Sequence, residues 1–304
     1  MSNPRPRAES ASRQDSARRP FPVSPRIAVA LSILLAGAIA WLVLDAPPAK
    51  LVPSEGGWDI VRRFFARAFS PALAYESEVP AETPHILVKA LAAARRTLVF
   101  AAAGMSVALV LGVVLGFLST TAWWSGDLAV GAGPWRRWYA RTIGPLICGC
   151  ARVLIVGMRS VHELLWAVLF LAAFGLNTAA AVAAIAIPYG GTLAKIFAEM
   201  VEEAPRDAAY ALRGAGAGPL QVFCFGLVPR AAPDLASYSF YRFECAVRSA
   251  AVLGFFGFPT LGYVIAQSFE NLHYGEVWTY LYMLVALVVA IELWSGALRK
   301  RFVA

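Results

Sequence analysis

Residues 202–229 read EEAPRDAAYALRGAGAGPLQVFCFGLVP and separate two strongly apolar segments of the chain. The stretch is polar, is punctuated by Gly and Pro, and contains short runs that can form helices. A chain this apolar has little reason to keep a long polar loop unless another protein docks on it. We therefore predict a helical membrane protein in which residues 200–235 form a cytoplasmic docking loop.

The composition supports this fold class. Of the 304 residues, 59% are hydrophobic and only 15% are charged, whereas about 25% are charged in soluble domains. Apolar runs of about twenty residues recur, which is the length that crosses a bilayer. We predict an all-α integral membrane protein with about six transmembrane helices. Much of the net charge of +8 lies at the two ends, as the positive-inside rule requires, so membrane lipid is a predicted partner and nucleic acid is not.

Composition also divides the chain into parts. Residues 1–26 are rich in Arg, Ser and Pro and are predicted to be a disordered basic cytoplasmic tail. Residues 27–44 form the first transmembrane helix, and residues 45–96 form a periplasmic or interfacial segment with an amphipathic stretch at 58–69. Residues 97–302 form the transmembrane core, and both termini are placed in the cytoplasm. The further predicted spans are 97–118, 152–174, 178–199, 236–258 and 277–298.

Small residues indicate how the second span packs. Gly104, Gly112 and Gly116 allow close approach of another helix, which lipid-embedded helices need because lipid supplies no hydrophobic drive for their association. Arg95 and Arg96 directly precede this span, so the predicted topology places them outside the cytoplasm. They are its weakest point, because basic residues favour the cytoplasmic side.

Three predicted spans carry ionisable side chains. A charge at the centre of a span costs about 2.5–3.5 kcal/mol, so these groups must face protein or water. A spacing of four residues places an acidic and a basic side chain on one helix face, where they can pair. Arg242 has no partner at this spacing and is predicted to point elsewhere. The predicted pairs are Arg159 with Glu163, Lys195 with Glu199, and Glu244 with Arg248.

Two interpretations of these charges remain open. The pairs can join helices, which is the favoured interpretation for Lys195 and Glu199. Alternatively they line a polar translocation path, and guanidinium groups suit an anion because they offer paired donors to phosphate-like oxygens. The residues predicted to line the path are Arg159, Glu163, Arg242, Glu244 and Arg248.

The sequence does not predict a metal site or bound nucleotide. The four cysteines have no neighbouring His or Cys pair that would complete a zinc site, so we interpret them as small packing residues. The chain also lacks the G-x-x-x-x-G-K-[ST] phosphate loop.

Residues 210–229 resemble the "EAA" loop of permease subunits in binding-protein-dependent ABC importers. Ala211 fills the first Ala position of that motif and Gly216 fills its Gly position. Tyr210 stands where the motif has an acidic residue, so the acidic contact passes to the carboxylates nearby. The predicted coupling residues are Glu202, Glu203, Asp207, Tyr210, Ala211, Leu212, Gly216, Ala217 and Pro229.

Other segments resemble phosphonate permeases in particular. They are GMRSVHELLWAVLFLAAFG at 157–175, LAKIFAEMVEEA at 193–204 and PDLASYSFYRFECAVRSAAVLGFFG at 233–257. The resemblance covers about residues 141–302 and is almost absent from residues 1–90. His162 departs from it, because the family has Pro at that position.

The resemblance implies a type I ABC importer permease in the bacterial cytoplasmic (inner) membrane. Such a subunit is not an enzyme and binds no cofactor of its own. It moves phosphonate or a related phosphorus oxyanion inward by alternating access, driven by ATP hydrolysis in a partner ABC ATPase dimer. A periplasmic substrate-binding protein and a second copy of the permease are the other implied partners.

Two alternatives belong to other functional classes. A stand-alone secondary transporter or channel for a small anion would use the charged pairs as a relay, but it leaves the docking loop without a role. A membrane-embedded enzyme with Glu163 and His162 as acid and base is disfavoured, because the histidine has no metal-binding partners.

Overall fold

The structure, a computed structural model, describes residues 25–44, 54–121 and 134–303. The predicted disordered tail lies almost entirely outside these residues, as does the first part of the segment predicted at 45–96. Every regular element in the described part is helical, which confirms the predicted all-α class.

The helices are named here in chain order. The first five are α1 (Pro25–Val43), α2 (Glu55–Ala66), α3 (Ile86–Ser119), α4 (Pro134–Ser160) and α5 (Glu163–Phe174). They are followed by α6 (Thr178–Glu203), α7 (Asp207–Gly214), α8 (Val228–Val252), α9 (Leu261–Glu270) and α10 (Tyr274–Val303). A single turn at Pro219–Gln221 and a π-helix at Val222–Leu227 lead into α8, and a 3₁₀ turn at Leu253–Phe256 follows it.

Among the described helices, five are long and apolar enough to cross a bilayer, namely α1, α3, α4, α6 and α10. A sixth span arises if Val222–Phe256 and Leu261–Glu270, which meet at a 43° bend, count as one. The prediction of about six spans is therefore confirmed.

Contacts divide the chain into two units, with the boundary between Val61 and Arg62. The first unit contains α1, which is apolar on all sides and has exposed side chains throughout its described length. A helix with this pattern suits a membrane span. The second unit contains the rest of the described chain and holds the candidate site.

The most extensive helix packing in the described part of the second unit joins α3 to α6. A Cβ on Gly112 would lie 2.7 Å from Leu193 Cβ, and one on Gly104 would lie 2.8 Å from a methyl group of Ile185. A Cβ on Gly116 would lie 3.1 Å from Ala194 O of the α6 backbone. The predicted role of these three glycines in close helix packing is confirmed. Their absent side chains let the two backbones approach and bury much of α6.

A segment before α3, residues 64–84, is fastened to the start of α10, and we call it the strap. Three α10 side chains donate to main-chain carbonyls of the strap. The bonds are Trp278 Nε1 to Phe64 O at 2.7 Å, Tyr282 Oη to Ala68 O at 2.6 Å, and Thr279 Oγ1 to Ala72 O at 2.6 Å.

The buried carboxylate of Glu276 completes this attachment. It accepts the main-chain N–H of Glu76 at 2.9 Å and the hydroxyl of Ser268 at 3.0 Å. Burial and the Glu276 charge raise the pKa of Tyr75 above its usual value. The Tyr75 hydroxyl donates to Pro84 O at 2.7 Å.

Two predicted span boundaries are wrong. Helix α3 begins at Ile86, before the predicted start at residue 97, so Arg95 and Arg96 lie on an exposed face of a continuous helix. The predicted span at 152–174 is broken, because α4 ends at Ser160 and α5 begins at Glu163. The break has a local cause: the His162 side chain accepts the N–H of Leu164 and caps α5.

The end of the docking loop also differs from expectation. The sequence predicts a second short helix in this loop, opened by Pro219 and continuing until Pro229, whereas helical structure continues through Pro229 into α8. Pro229 lies in the first turn of α8, which follows the π-helix at Val222–Leu227 without a break. The proline therefore does not end the helical run.

The tight α3–α6 contact gives a stability prediction. We expect Gly112→Ala to lower the free energy of unfolding by about 1–3 kcal/mol, because the added methyl would overlap Leu193. Gly149→Ala is the matched control, since its Cβ would meet nothing within 4 Å. Thermal unfolding of the two variants in detergent checks this, and equal stability would contradict the packing argument.

Candidate functional site

Helix α7 carries predicted coupling residues on two faces. Asp207, Tyr210 and Ala211 are exposed, and Tyr210 exposes 62% of its surface. Their spacing of three and four places them in one stripe along the helix. Ala209 is buried, and Leu212 packs inward. The helix therefore presents one face to the molecule and leaves a continuous face open, which we call the α7 stripe.

The inner face of α7 packs on an apolar loop cluster drawn from the ends of α6 and α8 and from the π-helix between them. Gly226 permits this contact, because a Cβ at that position would lie 3.1 Å from Ala209 Cα. Phe117 of α3 adds an edge-to-face contact with Phe223 at 5.0 Å. The buried members of the loop cluster are Val201, Ala204, Ala209, Val222, Phe223, Leu227 and Ala231.

The C-terminal end of α7 has a well-defined turn. The N–H of Ala217 donates to Leu212 O at 3.0 Å, and the N–H of Gly216 donates to Arg213 O at 3.0 Å. These two bonds form a Schellman motif, which needs a left-handed residue after the helix. Gly216 supplies it with a φ of +86°. Ala217 and Leu212 both pack against the loop cluster, so the turn fixes α7 in place.

The three predicted carboxylates of the loop have different surroundings. Glu202 Oε1 accepts the N–H and the hydroxyl of Thr121 at 2.6 and 2.8 Å, and it lies 3.3 Å from Arg152 Nη2. It therefore ties the end of α6 to α4 and to the residues that follow α3. Glu203 lines a separate cavity of about 510 Å³ with Arg230 and others. Only Asp207 lies on the α7 stripe.

A polar network joins three helices at the predicted path residues. The Ser249 hydroxyl of α8 donates to Glu163 Oε1 of α5 at 2.9 Å. The Tyr189 hydroxyl of α6 lies 2.8 Å from Ser249 Oγ and donates to it, because the serine proton is already committed. The Arg242 guanidinium lies over the Tyr189 ring, 4.2 Å from its centroid. We call these four residues the Glu163 network.

The expected Arg159–Glu163 pair is wrong. A helix break separates the two residues, so their spacing of four does not place them on one face. Glu163 instead bonds Ser249 and lies 3.6 Å from His162 Nε2.

The expected Glu244–Arg248 pair is also wrong. Glu244 Oε1 lies 3.0 Å from Arg299 Nη2 of α10, and Arg248 reaches Cys245 Sγ at 3.5 Å. Arg242, which was predicted to point elsewhere than to a partner on its own helix, lies over the Tyr189 ring of α6. The Lys195–Glu199 pair is present at 3.4 Å, as predicted.

The sequence interpretation missed several residues that complete these contacts. Ser249 could have been found, because it lies two helical turns after Arg242 on the same face. Tyr189 and Arg152 meet their partners only because helices that are distant in sequence pack together. No local sequence pattern therefore predicts these two contacts. Within the described residues, no three His, Cys, Asp or Glu side chains cluster as metal ligands.

Comparison with known proteins gives consistent matches. The chain is 35% identical over 158 residues to the phosphite transport system permease protein PtxC of Stutzerimonas stutzeri, and 35% identical over 159 residues to the phosphate-import permease protein PhnE of Mycolicibacterium smegmatis. These matches cover 52% of this chain in each case, and 58% and 30% of the two relatives. A cryptic phosphonate transport permease, PhnE2 of Escherichia coli, is 31% identical over 113 residues, which is 37% of this chain and 93% of that relative.

Solved structures show the same fold. The inward-facing MetNI methionine ABC transporter matches with a TM-score of 0.56 and 18% identity, over 71% of this chain and 97% of that one. An amino acid ABC transporter matches with a TM-score of 0.57 and 16% identity, over 72% and 99%. The predicted ABC importer permease fold is thereby confirmed.

A family model described as the inner membrane component of binding-protein-dependent transport systems matches residues 138–303, which include α5 to α10, the α7 stripe and the Glu163 network. The chain belongs to this family of inner membrane transport components.

Proposed function

We propose that this chain is the transmembrane subunit of an ABC importer that moves a phosphorus oxyanion inward, driven by a separate ATPase. The observation that carries the proposal is the α7 stripe, an exposed helical face whose opposite side is packed into the ends of two spans. The relatives named for phosphite, phosphate and phosphonate support the substrate class.

The packing suggests how force is transmitted. An ATPase dimer docks on the α7 stripe, and its closure on ATP displaces α7. The loop cluster then carries the displacement to α6 and α8 as rigid bodies, because a close-packed apolar cluster does not deform gradually. A second copy of the permease completes the pore, a binding protein delivers the substrate, and ATP is bound only by the partner.

The Glu163 network supports an anion path through the same helices. Arg242 is held by the face of Tyr189, and its Nε–H is buried without a hydrogen-bond partner among the described residues. Motion of α6 against α8 would change the Tyr189–Ser249 contact and release Arg242 toward an anion. We place Arg159, Glu163 and Arg242 on this path. The path role of Glu244 and Arg248 stays a sequence prediction.

Reconstitution tests the function directly. Liposomes containing this chain, its ATPase and its binding protein should take up phosphite or methylphosphonate only when ATP is present. Liposomes containing the chain alone should show no flux. Rapid uptake by the chain alone would refute the proposal and favour a stand-alone anion transporter.

The turn after α7 gives a more local test. We expect Gly216→Val to uncouple ATP hydrolysis from uptake, because a β-branched residue in the left-handed region costs about 1–2 kcal/mol and would shift α7. Gly218→Ala is the control, since its Cβ would make only an ordinary 3.6 Å contact. The ratio of ATP hydrolysed to anion imported should rise several-fold in Gly216→Val alone, and an unchanged ratio would argue against the coupling role.

Arg242 gives the test of the path. We expect Arg242→Ala to lower ATP-driven uptake at least about tenfold while the complex still assembles, since a charge-assisted contact to the anion is lost. Arg242→Lys keeps the charge but loses the planar stacking on Tyr189, so uptake should be intermediate. Initial uptake rates measure this, and wild-type uptake by Arg242→Ala would remove the residue from the path.

A further inference from the structure

A second cavity lies between α4 and α6. Its volume is about 400 Å³, more than ten times the roughly 30 Å³ share of one water molecule. It is lined by three basic and two acidic side chains. These are Arg152, Arg159, Lys195, Glu199 and Glu202.

The helices run in opposite directions here, which orders the charges. Arg152 meets Glu202 at the end nearest the docking loop, and Arg159 lies beside Gly191 farther along α6. Lys195 falls between these levels and pairs with Glu199 one turn nearer the loop. Charged side chains therefore line the cavity at successive levels along the two helices, and Arg159 lies at the level farthest from the docking loop.

The three basic side chains differ in the partners that they bond. Arg152 is fixed, because Glu202 also accepts two bonds from Thr121 and Arg152 Nε donates to Ser119 O at 3.0 Å. Within the described residues, no carboxylate lies within ion-pair distance of Arg159. The cavity thus holds one cation that lacks a counter-charge.

Lys195 is the cation that can be released. Its pair with Glu199 is 3.4 Å long, and the two side chains are 44% and 47% exposed. An exposed pair of this kind contributes little stability, so an incoming anion can displace the carboxylate. Glu199 would then turn toward solvent, and Lys195 and Arg159 would both face the cavity.

From these contacts we propose that the α4–α6 cavity binds a small phosphorus oxyanion, with Arg159 and Lys195 as its ligands and Glu199 as the competing internal anion. The inference rests on the proposed function for its substrate class. Arg159 offers paired donors to two oxygens, and Lys195 supplies a third donor from the opposite helix. Because the oxyanion exchanges with the Glu199 carboxylate, the cavity binds it tightly enough for it to enter and weakly enough for it to leave.

The experiment measures binding to the full chain in nanodiscs of phosphatidylcholine, titrated with phosphite and with methylphosphonate by calorimetry. Both anions should bind saturably. Arg159→Ala and Lys195→Gln should each weaken binding about tenfold, because each removes a charged ligand. Glu199→Gln should tighten binding by roughly threefold or more, because it removes the competitor while keeping the size of the side chain.

Lys300→Gln is the matched control, because it removes a cation from an exposed position on α10 outside the cavity, and binding should not change. Unchanged binding in Arg159→Ala, or weaker binding in Glu199→Gln, would overturn the proposal. The tightening expected for Glu199→Gln separates a lost ligand from a damaged fold, since damage does not raise affinity.

A lipid headgroup offers the same phosphate chemistry, so a second set of nanodiscs contains phosphatidylglycerol. If phosphite fails to bind in phosphatidylcholine while phosphatidylglycerol is retained through Arg159 and Lys195, the ligand is lipid and the free-anion site is refuted. The proposed function is judged separately by ATP-driven uptake. Saturable phosphite binding without such uptake would refute the importer and leave the site in place.

Discussion

The contact between the α3 and α6 backbones supports the rest of the structure. Lipid provides no hydrophobic drive for helix association, so the two helices depend on dispersion contacts that only close approach supplies. The absent side chains of Gly104 and Gly112 make that approach possible. Helix α6 is thereby positioned to bring Tyr189 to Arg242 and Ser249 on α8, and Glu202 to Arg152 on α4.

The polar groups of α6 divide the helix into zones with different tasks. Near its middle, Tyr189 contacts α8 and through Ser249 reaches the short helix α5. Near its end, Glu202 contacts Arg152 of α4 and Thr121, which follows α3. In the proposed mechanism, a displacement entering at α7 would thus reach the Glu202 end of α6 before it reaches the level of Tyr189.

Sequence patterns predicted the elements but not their breaks. Apolar length predicted the spans at 178–199 and 277–298, because a helix crossing lipid needs an unbroken run of about that length. Hydropathy did not predict the break before Glu163, which depends on a capping bond from one histidine side chain. Small residues such as Gly112 predicted where helices approach, since only absent side chains permit it.

Pairing of charges was predicted where both partners share one helix, as with Lys195 and Glu199. It failed for Glu163 and Glu244, whose partners come from other helices brought together by packing. The exposed face of α7 was partly predictable from the motif. The motif positions Ala211, which lies on that face, and Gly216, which lies in the turn after the helix. The attachment of Glu202 to Thr121 was not, since it joins residues far apart in the chain.

The strap is bound to α10 in an unusual way. Its acceptors at Phe64, Ala68 and Ala72 are peptide oxygens, which every amino acid possesses. Replacing these residues with others would leave the acceptors in place, whereas inserting or deleting one residue would shift all the following oxygens out of reach. These three bonds to α10 therefore tolerate a change of residue type at the acceptor positions but not a change in the length of the strap.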